Sequence, residues 1–521
     1  MDLFLFTKSS FLSYSCILLI IPTIIFIFIK SRSSSSSSSS SKQRRKLPPG
    51  PNKLPFIGNL HQLGGPMPMH RILQDLAAKH GPIMHLNFGH HPTIIISSPE
   101  AALEILKTHD LVFSNRPATA ASMKVFRKGP SIGFSNYGEQ WRQMKKLASI
   151  ELLSTERVKS FRLVREAETD ILIRTIHDYC CSRKQTVNLS EMFLCLSNNI
   201  IGQVAFSRRF STEGECNRSE HHDLIREIIQ LFGEFFMGDF FPSLGWVDVI
   251  TGMQAKSIAV FKRLDEFLER EIDDHRLSSD DDHNSQHGED FVDVLLELQR
   301  NSKLGFPITA DHIKVILTDI FLAGTETSAL ILEWVMSELV KDSRVMMKVS
   351  DEIRKVVGNK ERVEEDDLQK LEYLGFVINE TLRLHPPLGL LLPRESTEDC
   401  KISGYDVPKK TRVMVNAWTL GRDPKLWEKP DIFYPERFHG SPINYKGNYM
   451  QFIPFGAGRR ICPGTQLGIT TIMIALANVL FHFNWKLPNE MPGENIDMTE
   501  STGISNRKKS PLILMATPIC C

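Results

Sequence analysis

Residues 454–464 read Pro-Phe-Gly-Ala-Gly-Arg-Arg-Ile-Cys-Pro-Gly. Gly456, Gly458 and Gly464 frame a single cysteine, the mark of a loop whose backbone approaches something closely without interference from Cβ atoms. Cys462 is the contact that such a loop presents. Directly after it, Thr465 to Phe483 is a mostly apolar run that reads as a helix. Cys462 therefore sits near a helix N-terminus, where the dipole and the free amides favour a thiolate, and a thiolate is a metal ligand. A lone buried cysteine is more often inert packing, so the rest of the chain decides between the two.

The chain has 521 residues, 42% hydrophobic and 24% charged, enough to bury one large core or two modest ones. Lysine plus arginine (62) nearly cancels aspartate plus glutamate (61), which excludes the basic excess of a nucleic-acid binder. The nine cysteines include no C-x-x-C pair and form no compact framework, so they read as thiols in a reducing compartment.

The run from Phe11 to Ile29 contains no charge, about the length needed to cross a hydrocarbon layer of roughly 30 Å as a helix. Lys30, Arg32, Lys42, Arg44, Arg45 and Lys46 follow it, a positive bias that keeps the C-terminal side in the cytosol. No small-residue cleavage site follows clearly, so an uncleaved single-pass anchor is expected over a cleaved signal. Residues 1–30 are read as this anchor, and residues 31–51 as a spacer made of the serine tract Ser33 to Ser41 and the stiff Pro48-Pro49-Gly50-Pro51. Residues 52–521 are read as one folded domain. Within it, Ile83 to Phe88 and Thr93 to Ser97 are β-rich runs separated by Gly89-His90-His91-Pro92, a hairpin signal. Thr411 to Ala417 is a further strand candidate, Asp311 to Lys341 and Asp367 to Leu384 read as helices, and acidic Asp273 to Asp290 reads as a solvated loop. The expected fold class is mainly α with a small β-sheet subdomain.

Two further groups of residues need a reason. Ala323-Gly324-Thr325-Glu326-Thr327-Ser328 places polar residues inside an otherwise apolar helix, Ile313 to Val340, where an unpaired polar group is costly. Gly324 with its neighbouring hydroxyls permits a local opening of the helix ladder that water or oxygen would occupy. The bland alternative is a Thr327 hydroxyl that only bonds back to its own helix. Glu380 and Arg383, at i,i+3, share a helical face and pair there.

With these residues in view, the sequence resembles the cytochrome P-450 superfamily. Phe455, Gly458, Arg460, Cys462 and Gly464 meet its haem loop F-x-x-G-x-R-x-C-x-G in full, Glu380 to Arg383 meets E-x-x-R, and Pro435-Glu436-Arg437-Phe438 meets P-E-R-F. The resemblance implies a haem b cofactor with Cys462 as axial iron ligand and Arg460 on a propionate. It implies Glu326 and Thr327 as a proton relay, and a structural charge cluster of Glu380, Arg383 and Arg437. Trp141 and Lys145 resemble the pair that holds propionates, although lysine stands where arginine is usual and offers no bidentate fork. Arg394 is another propionate candidate. The motifs look most like plant A-type microsomal members.

What the resemblance implies is therefore a haem-dependent monooxygenase of the endoplasmic reticulum membrane, with its catalytic domain facing the cytosol. It inserts one oxygen atom from O2 into a lipophilic small molecule such as a terpenoid, phenylpropanoid, coumarin or alkaloid precursor. Electrons come from NADPH through a membrane-bound reductase, docked on a basic face to which Lys146 and Arg459 contribute. The implied pocket walls are Pro117 to Phe134, Leu231 to Trp246, Phe321 to Ala323, Pro387 to Leu392 and Thr502 to Ile504. Phe235, Phe236, Phe240 and Phe241 are read as core or as a membrane-dipping cluster, and Gly389 as added freedom in one wall. Two rival readings are a same-fold dehydratase or isomerase that does not use O2, and a non-catalytic haem-binding protein.

Overall fold

The computed structural model describes residues 45–181, 186–211, 220–278, 289–301 and 306–519. The anchor and the serine tract lie outside the described residues. From Leu47 onward the chain forms one unit.

Nine strands are present among the described residues: β1 (Ile83–Phe88), β2 (His91–Ile96), β3 (Thr186–Asn188), β4 (Arg394–Glu395), β5 (Cys400–Ile402), β6 (Tyr405–Val407), β7 (Arg412–Val415), β8 (Phe483–Lys486) and β9 (Ile513–Pro518). The expected hairpin forms, with Ile83 opposite Ile96 and Phe88 opposite His91. Its turn is tighter than the sequence implies, because Gly89 takes φ +58° and only His90 separates it from β2. The main sheet runs β1-β2-β7-β4, with β7 parallel to β2 and antiparallel to β4; β3-β9-β8 and β5-β6 are separate small sheets.

The helices that position the site are α1 (Glu139–Leu147), α2 (Leu189–Phe206), α3 (Glu220–Gly233), α4 (Ala310–Lys341), α5 (Glu372–Leu384) and α6 (Thr465–His482). α4 starts at a capping box, where the Thr309 side chain accepts from the His312 amide. It then threads the core with α2 and α6 packed against it. α4 and α6 are long and apolar enough to cross a membrane, but most of each is buried in protein, which explains their apolarity on all sides.

Two expectations are corrected. The helix read over Asp367 to Leu384 is interrupted: Glu365–Lys370 is a 3-10 turn and α5 begins only at Glu372. The cause is a cap from another helix, since the Glu352 carboxylate accepts from the amides of Tyr373 (2.7 Å) and Leu374 (2.9 Å). The acidic stretch from Asp273 is not all loop. The helix Met253–Ser278 runs into it, and Asp290 at its far end is buried and accepts from His275 at 2.7 Å. Residues 279–288 lie outside the described ones.

Candidate functional site

The loop from Pro454 reverses direction through a set of backbone bonds. The Gly456 amide donates to Ile453 (2.9 Å), the Ile461 amide to Gly458 (3.1 Å) and the Cys462 amide to Phe455 (3.0 Å). Gly456 and Gly458 have φ +72° and +70°. At Gly458 a Cβ would lie 2.0 Å from the Leu106 carbonyl oxygen, so this glycine lets the loop seat on a neighbouring helical turn. The Thr465 hydroxyl donates to the Cys462 carbonyl at 3.0 Å, and Gly464 is the N-cap of α6.

The loop floors a cavity of about 350 Å³. Cys462 lines it, and the accessible surface of its side chain opens into this cavity. Burial within the protein pushes the thiol up, opposed by the Gly464 amide, Lys145 and Thr465.

Around the cysteine stands a wall of cations. The Arg460 guanidinium donates to the carbonyls of Ser114 (2.9 Å), Ile132 (3.1 Å) and Ser135, and lies 4.2 Å from the Trp141 ring centre. Trp141 donates to the Ile132 carbonyl at 3.0 Å. Arg394 donates to Asp110 (3.0 Å) and to the Ala457 carbonyl (3.0 Å). Lys145 donates to the Ile461 carbonyl at 2.7 Å, which ties α1 to the residue before the cysteine. Sequence reasoning missed a fourth member, Arg116, which donates to the carbonyls of Gly133 (2.9 Å), Leu392 (2.6 Å) and Pro393 (2.8 Å).

Burial lowers Arg460 to about 9, with Arg394 adding to the effect, and burial with Arg394 and Arg460 lowers Arg116 far below its usual range. Lys145 falls to about 8 for the same first reason, despite the pull of Cys462. Asp110 and Asp319 are the carboxylates facing this group. Four cations against two carboxylates leave an excess that suits a ligand with two negative charges.

The opposite wall is α4. It runs through Gly324 as a continuous helix, which corrects the expected opening. A Cβ on Gly324 would lie 2.5 Å from Ile201 Cδ1, and its carbonyl accepts from Ser197 at 3.0 Å, so this glycine admits α2. The Thr327 hydroxyl does bond back, to the Ala323 carbonyl at 2.7 Å. Its hydrogen is thereby committed and its oxygen is left to accept. Glu326 is nearly buried and also lines the cavity. Two turns earlier, Asp319 accepts from the Ser131 hydroxyl and the Ile132 amide, both at 2.6 Å, and fastens the segment after Arg116 across the cavity. Burial raises its carboxyl to about 6.

The rest of the lining is mostly apolar, including Phe126 and Phe134, Ile200 and Ile201, Phe232, Leu322 and Ala323, Pro387 to Leu392 in part, and Ile504. Phe134 stacks on both Phe126 (5.4 Å) and Phe232 (4.6 Å). All five expected wall segments contribute residues, but from Leu231 to Trp246 only Phe232 does. Phe236 and Phe241 are buried; Phe235 is exposed, together with Trp246, Val249 and Ile250. The four phenylalanines therefore do not act as one surface cluster. Gly389 does not add freedom: a Cβ there would lie 2.9 Å from the His70 ring.

Away from the cavity, Glu380 accepts from Arg383 twice (both 2.7 Å), from Arg437 (3.0 and 3.1 Å) and from the Tyr434 amide (2.8 Å). The three side chains of the E-x-x-R and P-E-R-F motifs thus meet, with Glu380 and Arg383 essentially inaccessible to solvent.

A mainly helical body with a small mixed sheet, and a thiol facing an apolar cavity beside a cationic wall, together describe a haem-thiolate enzyme. The cytochrome P450 family model matches residues 48–515, and the chain belongs to this family. It is 48% identical to cytochrome P450 71A1 of Persea americana, over 88% of this chain and 91% of the relative. It is 44% identical to desmethyl-deoxy-podophyllotoxin synthase of Sinopodophyllum hexandrum, over 91% and 92%. With costunolide synthase of Cichorium intybus it shares 43% identity, over 90% and 92%. The resemblance to plant members therefore holds. The protein is an oxidoreductase that incorporates oxygen, with haem iron held by a thiolate as cofactor.

Proposed function

We propose that this protein oxidises a lipophilic specialised metabolite at a haem held by Cys462, with Arg116, Lys145, Arg394 and Arg460 on the propionates and Trp141 behind them. The observation that carries this reading is the placement of the cysteine and the cationic wall on one side of an apolar cavity, with Glu326 and Thr327 on the other. The donor set fits the group: one sulfur for iron, and an excess of cations for two carboxylates. When bound, haem supplies the dioxygen-activating iron. Gly458 and Gly464 shape the loop around the sulfur, and Phe455 fixes the Cys462 amide. The Phe126, Phe134 and Phe232 stack presses an apolar substrate toward the cavity floor and excludes water. The Glu326 carboxylate takes up a proton and passes it to the acceptor oxygen of Thr327, so that the pair moves protons inward from solvent.

The relatives named for making costunolide and desmethyl-deoxy-podophyllotoxin favour a specialised-metabolite substrate, and the lining favours an apolar one. A terpenoid, phenylpropanoid, coumarin or alkaloid precursor answers to both. Residues 1–30 anchor the chain in the endoplasmic reticulum membrane with residues 52–521 in the cytosol, and an NADPH-dependent reductase supplies the electrons. Exposed Lys146 and Arg459 belong to the face on which it docks. Glu380, Arg383 and Arg437 hold the frame behind the loop.

The test is turnover of candidate metabolites by the full chain with a plant reductase and NADPH under isotopically labelled dioxygen. One labelled oxygen atom in the product is expected. Product that forms without NADPH and carries no label would overturn the reading in favour of a dehydratase or isomerase.

A further inference from the structure

Glu326 is not alone on its wall. The loop before β9 reaches across to it from the C-terminal end of the chain. The Ser505 hydroxyl donates to Glu326 Oε1 at 3.2 Å, and Arg507 Nε forms an ion pair with the same oxygen. Among the described residues no hydrogen bond falls on Oε2, so that oxygen is the one left to take a proton.

The residue between these two donors is clamped from both sides. The Asn506 amide donates to the Pro387 carbonyl at 2.9 Å, and its carbonyl accepts from Trp334 at 2.7 Å. Trp334 lies two turns beyond Glu326 on α4 itself. The Ser501 amide donates to the Arg507 carbonyl at 2.8 Å and closes the loop. Ser505 and Arg507 are therefore placed relative to α4 by backbone bonds and not by their own side chains alone.

Both members of the pair keep some accessible surface. The Glu326 side chain, on the cavity wall, is 10% exposed and that of Arg507, which does not line the cavity, is 27% exposed. Behind Arg507 stands Arg226 of α3. Burial first, and this neighbour second, lower Arg507 to about 10, so it remains a cation at neutral pH. The charged and polar groups that face Glu326 are thus Arg507 and Ser505 from the loop, with Arg226 behind them.

We infer that Arg507, aided by Ser505, is a positioning residue that holds Glu326 as a carboxylate in one orientation, with Oε2 as its proton-accepting atom. A proton taken from solvent water onto Oε2 passes on toward the Thr327 oxygen, and Glu326 returns to the carboxylate held by Arg507. A fixed neighbouring cation lowers the carboxyl pKa, and removing it raises that pKa. This inference rests on the reading of Glu326 as a proton carrier.

The experiment uses the full-length holoenzyme in lipid vesicles with reductase and NADPH, and reads product formed per NADPH consumed against pH. The variants are Arg507→Gln, Arg507→Lys and Glu326→Gln. Arg507→Gln is expected to lower product per NADPH by about tenfold at neutral pH, less than the roughly 10²–10⁴-fold that a proton-transfer group itself contributes, because Arg507 acts only through Glu326. Its acidic limb shifts to higher pH, and Arg507→Lys restores the limb. Infrared difference spectra should show a protonated carboxyl in Arg507→Gln at neutral pH that is absent from wild type and from Glu326→Gln. The carbon monoxide spectrum and melting temperature report folding separately; should Arg507→Gln not fold, Ser505→Ala and Arg507→Lys read the same limb.

A lower yield with an unmoved pH limb and no rescue by lysine would reduce Arg507 to a structural residue and overturn the inference. Unchanged coupling in Arg507→Gln, with Glu326→Gln impaired, would overturn it while sparing the proton-carrier reading. Full coupling in Glu326→Gln would overturn both.

Discussion

Removing the carboxylate of Glu380 would strand two guanidiniums, that of Arg383 where water does not reach it. Arg383 is 1% exposed and Glu380 fully buried, so Glu380→Ala is expected to cost about 3–5 kcal/mol, the range for breaking one partner out of a buried pair. Thermal or urea unfolding measures this, and a cost under about 1 kcal/mol would mean that the cluster is solvated after all. Arg116 acts by a different route. Its guanidinium satisfies three carbonyls on two segments, and lysine, without a planar fork, cannot reach all three. Arg116→Met leaves buried acceptors unpaired at about 1–3 kcal/mol each, and should lower both melting temperature and haem content per chain. Haem content equal to wild type would remove Arg116 from the propionate wall.

At the scale of elements, the close crossing of α2 and α4 depends on Gly324. Gly324→Val puts side-chain atoms where Ile201 already stands. Overpacking of this kind typically costs about 1–3 kcal/mol, and Ile201→Ala in the same chain should recover part of it. Calorimetry of the single and double variants measures the coupling, and strictly additive losses would contradict the contact. Elements also show what was legible in the sequence. The cysteine loop, the hairpin and the long helix were readable because each carries a local signal: clustered glycines, paired β-rich runs, and a long, mostly apolar run with Thr-Glu-Thr-Ser near its middle. The break before α5 was not, because its cap is Glu352 from another helix. Arg116 was missed because what singles it out is carbonyls 276 and 277 positions away. The same holds for Ser505 and Arg507, whose meaning comes only from Glu326 179 residues earlier in the case of Ser505.

Across the whole molecule, Glu500 joins the two ends of the folded unit. Buried near the C-terminus, it accepts from His70 (3.0 Å), Arg71 (2.6 Å) and Trp418 (3.3 Å). Burial alone would raise its carboxyl, but His70 and Arg71 outweigh it and hold the group at about 2 against an ordinary 4.5. A carboxyl held low in the folded state stabilises it above the unfolded value and loses that contribution as pH falls toward the folded one. Glu500→Gln should therefore be less stable than wild type at neutral pH, with the gap narrowing between 4.5 and about 2. Denaturant titrations at several pH values check this; a gap that stays constant through the acid range would show that the charge of Glu500 contributes nothing.

The central claim is that Cys462 holds the iron. The carbon monoxide difference spectrum of the dithionite-reduced protein, taken for wild type and for Cys462→Ala supplied with haem, tests it most directly. A red-shifted Soret band in wild type that vanishes in the variant is the predicted result. A folded wild type without that band, or a variant that keeps it, would contradict the account.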